Sequence, residues 1–207
     1  VKRRIIGALL LCAALLGGCS AVKVGYNQAP LLGWWWLDDY IDFSDEQTPI
    51  VKLAIGQWLA WHRATQLPVY ADLLAAAQLQ VMQPASAAQV CRWYEDLRQR
   101  VRVAVAHGVP LAAELLPRLG PQQLAHLEAR YTKANLKFQE DFLQVKPQER
   151  RKASVKRIVD RAEMLYGRLD DTQRQLIVAG TAQSPFDPAL WFVERQALHA
   201  EVLQTLN

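Results

Sequence analysis

Apolar residues recur along most of the chain at steps of three and four positions, the spacing that places them on one face of an α-helix. No segment shows the alternation of apolar and polar residues that is typical of a half-buried strand. The clearest stripe consists of Leu124, Leu127, Tyr131, Ala134, Phe138, Phe142 and Val145. Such spacing suits the packing of helices against each other. The pattern therefore predicts an all-α bundle of about six to eight helices.

Four helix starts share one local motif, in which a capping residue is followed three positions later by Gln. The pairs are Ser44/Gln47, Ser86/Gln89, Gly120/Gln123 and Asp170/Gln173. In such a capping box each side chain bonds a backbone donor of the first turn, and glycine supplies only half of the box. We expect the first helix to run from about Asp45 to Thr65, and a second to start at Pro68. A third should end near Gly108, before a short helix over 111–116.

The first nineteen residues combine three features in a fixed order. A positive segment, Lys2 to Arg4, precedes an apolar run from Ile5 to Leu16. A helix of that length spans roughly 18 Å, which is too short to cross the ~30 Å core of a bilayer. The following Leu16-Gly17-Gly18-Cys19 resembles the lipobox of bacterial lipoproteins. We expect cleavage before Cys19 and lipid attachment to that cysteine; the alternative is an ordinary signal peptide with a chance cysteine.

These features predict three segments: a signal peptide at 1–18, a lipidated tether with a Trp-rich segment at 19–43, and a helical domain at 44–207. Residues 20–33 are predicted to be irregular, because they hold two glycines, an asparagine and a proline. Ser20 follows the lipobox, and the resemblance implies sorting to the outer membrane, facing the periplasm. The lipid on Cys19 makes the membrane the first predicted partner.

Removal of the signal peptide changes the apparent charge. Of the 24 Lys and Arg residues, three lie in the signal peptide, which leaves 21 against 20 Asp and Glu and a net charge of +1. The composition therefore gives no support for nucleic-acid binding. Cys12 is lost with the signal peptide and Cys19 is lipidated, so Cys91 has no partner within the chain. We expect Cys91 to be a buried apolar residue; the alternative is a reactive or intermolecular thiol.

A run of three tryptophans, Trp34, Trp35 and Trp36, lies about fifteen residues after the predicted anchor. Tryptophan favours the interface between lipid and water, so one hypothesis is contact with the membrane. The alternative is that at least two of the three pack inside the bundle. Several acidic residues follow from Asp38 to Glu46. Their spacing is not that of a calcium loop, and they are more typical of a helix start.

His62 lies on the apolar face of the first predicted helix, within Trp61-His62-Arg63. We interpret it as a hydrogen-bonded core histidine. A general base is the alternative, but no Ser or Cys has the setting of a nucleophile. The other histidines, His107, His126 and His199, lack metal-ligand spacing. The sequence therefore predicts no catalytic residue, no cofactor and no metal.

The helix predicted after Pro147 is basic. Arg150, Arg157, Arg161 and Arg168 fall on one edge, at steps of seven, four and seven. One interpretation is a solvated face. The other is a ridge that binds an anionic lipid or an acidic envelope protein.

Several motifs occur in a recognisable order. They are Gly18-Cys19-Ser20, Tyr26, Trp35-Trp36-Leu37-Asp38-Asp39-Tyr40, Gln47, Trp61-His62-Arg63, and Leu67-Pro68-Val69-Tyr70-Ala71 with Leu74. Together they resemble a family of uncharacterised proteobacterial lipoproteins, described only as a domain of unknown function. The resemblance covers most of the chain after Cys19. It implies an envelope lipoprotein and no particular activity.

A weaker similarity concerns the spacing of Leu and Gln at Leu119/Gln123 and Leu169/Gln173. It is similar to the Leu-Thr-x-x-Gln motif of the Spy-type periplasmic stress proteins, which are all-helical chaperones, although the Thr is missing. The sequence thus favours a non-enzymatic binding or scaffold protein of the envelope. The alternatives are a chaperone-like protein and, with less support, a hydrolase that uses His62.

Overall fold

The computed structural model describes residues 23–80 and 86–207, and the part of the chain so described is helical without any strand. This confirms the predicted all-α class. None of these helices has both the length and the apolar character that a membrane span needs. Cys19, Ser20 and the predicted signal peptide lie outside the described residues. The chain divides into two compact units, the first ending at Leu119 and the second covering Gly120–Asn207.

The described residues of the first unit, 23–80 and 86–119, form three long helices and two short helical segments. Residues 23–27 are helical, and α1 follows over Ala29–Ile41. Helix α2 covers Thr48–Gln80, α3 covers Ala87–Ala113, and a short 3₁₀ helix covers Leu116–Arg118. Both α1 and α3 pack on α2. The predicted irregular segment at 20–33 is therefore wrong from residue 23 to 27 and from Ala29 onward, because packing on α2 stabilises a helix there.

The second unit contains four helices. They are α4 over Pro121–Phe142, α5 over Pro147–Tyr166, α6 over Asp171–Ala182 and α7 over Pro188–Leu206. Helix α4 packs on α5 and α7, and α5 packs on α6. The predicted stripe on α4 supplies the buried Leu124 and Leu127. The two units thus divide the region 44–207, which the sequence suggested as one helical domain.

Two predicted helix ends are wrong, both at a proline or a glycine. Helix α2 continues through Pro68, and α3 continues past Gly108 and Pro110 to Ala113. An internal proline costs one backbone hydrogen bond and crowds the preceding turn. In α2, the rings of His62 and Tyr70 lie 5.7 Å apart, one on each side of Pro68. This aromatic contact links the two halves of α2 across the proline.

The predicted capping boxes are present at three of the four positions. The backbone N–H groups of Ser44, Gly120 and Asp170 each donate to the side chain of the Gln three positions later, at 3.0 Å. At the fourth position, the backbone N–H of Gln89 donates to Ser86 Oγ, but the side chain of Gln89 donates to Gln80 instead. Local sequence therefore determines where these helices begin.

Candidate functional site

An apolar cavity of about 550 Å³ lies between the helices of the first unit. Helix α2 forms the floor through Ala54, Ile55 and Trp58. Ala29, Gly33 and Trp36 of α1 form one wall. The end of α3 and the segment after it form the other wall, with Leu111, Ala112, Leu116 and Leu119. Every lining residue is apolar. A volume of this size is typical of small-ligand sites.

Small residues set how closely the walls approach the floor. A side chain at Gly108 would begin 3.5 Å from the indole nitrogen of Trp58, and one at Gly33 would begin 3.7 Å from Ile55. The indole N–H of Trp58 donates to the carbonyl oxygen of Ala104 at 3.0 Å. The polar atom of this floor residue is therefore used inside the protein, and the cavity presents an almost purely hydrocarbon surface.

The three tryptophans of α1 have different environments. Trp34 is 8% exposed, stacks on Phe43 at 5.7 Å, and has the ammonium group of Lys52 at 4.7 Å from its ring. Trp35 and Trp36 are 57% and 62% exposed. Packing of at least two of the three is therefore wrong, because successive helical positions point in different directions around the axis and only Trp34 is buried. Membrane contact stays a prediction for Trp35 and Trp36, whereas buried Trp34 is not placed for it.

The outward side of α1 is apolar beyond the tryptophans. Leu31 and Leu32 are exposed, one turn before Trp35 and Trp36. We call Leu31, Leu32, Trp35 and Trp36 the outer face of α1. Trp36 also lines the cavity, so the outer face adjoins the cavity wall.

The acidic residues after the tryptophans lie mainly at the end of α1. Asp38 is in its last turn and accepts a hydrogen bond from the backbone N–H of Phe43 at 3.1 Å. Asp42 is the C-cap, with a left-handed φ of 59°. The interpretation as a helix start is therefore wrong for these residues, since α1 extends further than the pattern indicated. Among the described residues, no group of three or more His, Cys, Asp or Glu is arranged to hold a metal ion.

His62 lies in an aromatic cluster on α2. Its Nδ1 is 2.9 Å from the hydroxyl of Tyr26, and its ring stacks on Trp58 at 5.0 Å. Nearby, Trp61 stacks on His107 at 3.8 Å, which links α2 to α3. Burial lowers the pKa of His62. The hydrogen-bonded histidine of the prediction is thus present, but it is half-buried and its partner is a side chain from before α1.

The four arginines of the predicted ridge separate into two pairs. Arg157 donates to the carbonyl oxygen of Asp141, lies 4.1 Å from the centre of the Phe142 ring, and has a pKa lowered by burial. Arg150 donates to the carbonyl oxygen of Gln144 at 3.2 Å. These two arginines therefore bind the end of α4.

The other two arginines are exposed. Arg161 lies on α5, and Arg168 lies beyond the end of that helix. The prediction of one four-residue ridge is wrong in this respect, because the carbonyl groups at the end of α4 lack helical partners and attract the first two arginines.

Cys91 is exposed on α3, which contradicts its predicted burial. It lies next to the exposed Val90, on the side of α3 away from α2 contacts such as His107. The amphipathic pattern of α3 indicated a helix but not how much of that helix the rest of the chain covers.

The cavity was not predicted from the sequence. Its floor belongs to the first predicted helix, and its walls come from the segment predicted as a tether and from the short helix predicted over 111–116. The available signal was the set of small residues in otherwise apolar segments, Ala29, Gly33, Ala54, Gly108 and Ala112. Such residues permit close approach but leave space where no large side chain fills it.

Comparison with known proteins identifies a family for this chain. The model of a family of unknown function, DUF6279, matches residues 39–207. No curated protein and no solved structure matches the chain. The matched region includes α2, α3 and the whole second unit, while Ala29, Gly33 and Trp36 precede it. Because the match covers well over half of its residues, the chain belongs to DUF6279, a family of unknown function.

Proposed function

We propose that this chain is a non-enzymatic binding protein of the bacterial envelope. Lipid on Cys19 holds it to the membrane, and the outer face of α1 contacts the membrane surface. The observation that supports this best is the exposure of Leu31, Leu32, Trp35 and Trp36 on one helix. A contiguous apolar patch on a protein surface commonly marks a contact site for a protein or a membrane.

The position of α1 favours the membrane as its contact. Ala29 follows Cys19 by ten positions. Ten residues span about 15 Å as a helix. As an extended chain they span at most about 36 Å. Helix α1 has 13 residues. A helix of this size is about 20 Å long, so it suits the interface plane and not a crossing. Tryptophan side chains are favoured at that depth.

Vesicle binding by the anchor-free chain tests this proposal. The protein from Ser20 to Asn207 contains every described residue, and it should co-sediment with phosphatidylcholine vesicles that contain some phosphatidylglycerol. The double variant Leu31→Ser/Trp35→Ser removes two apolar contacts, each worth about 1.5–3 kcal/mol when buried. We expect its partition coefficient to be at least tenfold lower.

The matched control is Tyr166→Ser/Leu176→Ser, which removes two exposed apolar side chains from the second unit. This control should bind vesicles like the unaltered chain. Equal binding by the unaltered protein and by the α1 variant would contradict the proposal.

A chaperone-like activity is the second candidate, and one feature of α3 favours it. Val90, Tyr94, Leu97, Val101 and Val105 recur at steps of three and four and are all exposed. Such a stripe offers an apolar surface to unfolded segments of other proteins. The anchor-free chain should then suppress aggregation of a heat-denatured client, and Leu97→Ser/Val101→Ser should lose the effect. No suppression at stoichiometric excess would argue against this function.

A hydrolytic role for His62 has the least support. The ring of His62 has four aromatic neighbours, Tyr26, Trp58, Trp61 and Tyr70, and its recorded hydrogen bond is to the hydroxyl of Tyr26. A general base that activates a nucleophile is normally oriented by a carboxylate or carbonyl group. Turnover of an ester or peptide substrate that His62→Ala abolishes without unfolding the protein would restore this candidate.

A further inference from the structure

We infer that the apolar cavity of the first unit binds one acyl chain of a membrane phospholipid. This inference deepens the proposed function and rests on it, because docking of α1 brings the cavity to the bilayer. The inference names a ligand for the cavity, whereas the proposed membrane contact would be possible with an empty cavity.

The lining determines the chemistry of the guest. Every residue around the cavity is apolar, and the indole N–H of Trp58 is already bonded to Ala104. A polar group placed inside would lose its hydrogen bonds to water without finding replacements. A hydrocarbon chain loses no hydrogen bonds, and each methylene that leaves water for the cavity favours binding.

The size of the cavity suits one acyl chain. The cavity holds about 550 Å³, which lies within the range of small-ligand sites. An α-helix is at least about 10 Å wide with its side chains, so only part of its surface would enter this space. A single acyl chain is only one carbon wide and fits within it.

The location of the cavity identifies the source of the acyl chain. Trp36 belongs both to the outer face of α1 and to the cavity lining. When the outer face rests on the membrane, the cavity wall is therefore continuous with the surface that contacts lipid. Phospholipids surround a docked helix in large excess over the acyl chains on Cys19. Mass action then favours a bilayer lipid as the occupant.

Recovery of bound lipid after exposure to defined vesicles tests the inference. The chain from Ser20 to Asn207 is incubated with dioleoylphosphatidylglycerol vesicles and separated from them by gel filtration. Native mass spectrometry then measures the mass of the protein with any bound lipid. We expect one phospholipid per chain. Ala112→Phe places a ring in the cavity and should reduce the lipid-bound fraction at least tenfold. Ala113→Phe changes the adjacent exposed position, which does not line the cavity, and should leave binding unchanged.

A second variant that blocks the cavity controls for the possibility that the first one misfolds. Ala54→Phe fills the cavity from the floor, and circular dichroism should show unaltered helix content for at least one blocked form. Lipid binding that survives in a folded blocked form, or that is absent from the unaltered protein, overturns the inference. Lipid bound by the anchor-free chain but absent from the lipidated protein would show that the acyl chain on Cys19 fills the cavity, and it would overturn the assignment to a phospholipid.

The two proposals fail in different ways. Leu31→Ser/Trp35→Ser alters vesicle binding without changing any residue that lines the cavity. Monomeric lysophosphatidylcholine, added below its micelle concentration, reaches the cavity without a membrane. Vesicle binding without lysophospholipid binding leaves the proposed function standing and overturns the inference. The reverse result overturns membrane docking while the cavity still binds an acyl chain.

Discussion

The hydroxyl of Tyr26 lies 2.9 Å from Nδ1 of His62, a residue 36 positions further along the chain. This hydrogen bond joins the helical residues before α1 to the middle of α2, and the rings of the two residues also lie 6.0 Å apart. Arg63 reinforces the same junction, with its guanidinium 5.2 Å from the centre of the Tyr26 ring. The start of the described chain is therefore attached to the long helix at a defined point.

Removal of this hydroxyl should weaken the first unit. Tyr26→Phe deletes one hydrogen bond while it keeps the ring contacts, so we expect the free energy of unfolding to fall by about 1 kcal/mol. Urea unfolding followed by tryptophan fluorescence measures this, since six of the seven tryptophans precede Leu119. Tyr166→Phe, at an exposed position, is the control and should have no effect. An unchanged unfolding midpoint in Tyr26→Phe would show that the hydrogen bond contributes nothing.

The stability of the first unit should depend on pH through His62. Burial lowers the pKa of folded His62 below its value in the unfolded chain. The unfolded chain therefore binds more protons between these two values. The contribution of neutral His62 to the free energy of unfolding is fully present above pH ~6.5, the ordinary histidine pKa. It is lost as the pH falls through the pKa of His62 in the folded protein. Urea unfolding at two pH values, one well above and one well below that point, should therefore show a smaller pH dependence in His62→Phe. An identical dependence in both proteins would assign the effect to other groups.

The two pairs of basic residues on and after α5 should differ in their roles. Arg157→Ala loses the bond to Asp141 and the contact with Phe142. We expect these losses to lower the free energy of unfolding by about 2 kcal/mol. Arg161→Ala changes an exposed side chain. A surface change of this kind should alter stability by no more than about 0.5 kcal/mol. Urea unfolding followed by circular dichroism compares the two. Equal losses would contradict the separation into a packed and an exposed pair.

Cys91 should react readily in the folded protein. Because its side chain is exposed, a water-soluble thiol reagent should modify one thiol per chain of the Ser20–Asn207 form without denaturant. Cys91→Ser removes the reaction and identifies its site. Modification that requires urea would show that this part of α3 is covered in solution.

The local features of the fold could be predicted from the sequence, and the reason is physical. The boxes at Ser44, Gly120 and Asp170 involve atoms only three residues apart, so the bonds form wherever a helix starts there. The apolar stripe of α4 likewise depends only on helical spacing. These features do not require knowledge of what packs against each helix.

The remaining features depend on contacts between distant segments. Helix α1 is stabilised by packing on α2, which overrides the glycine and proline that suggested a tether. Arg157 fits the end of α4 only because α5 folds back beside it. The cavity also arises between segments far apart in the chain, so its small wall residues have no distinctive meaning until α1, α2 and α3 are assembled.

The bond from Trp58 to Ala104 has a consequence for selectivity. Because the indole N–H of Trp58 donates to the carbonyl oxygen of Ala104, this side chain has no hydrogen bond to offer a lipid head group. Discrimination must then come from the length of the hydrocarbon, at about fourfold in affinity for each methylene that fits. Such a site would distinguish lipids by how far their tails extend and would be indifferent to their charge.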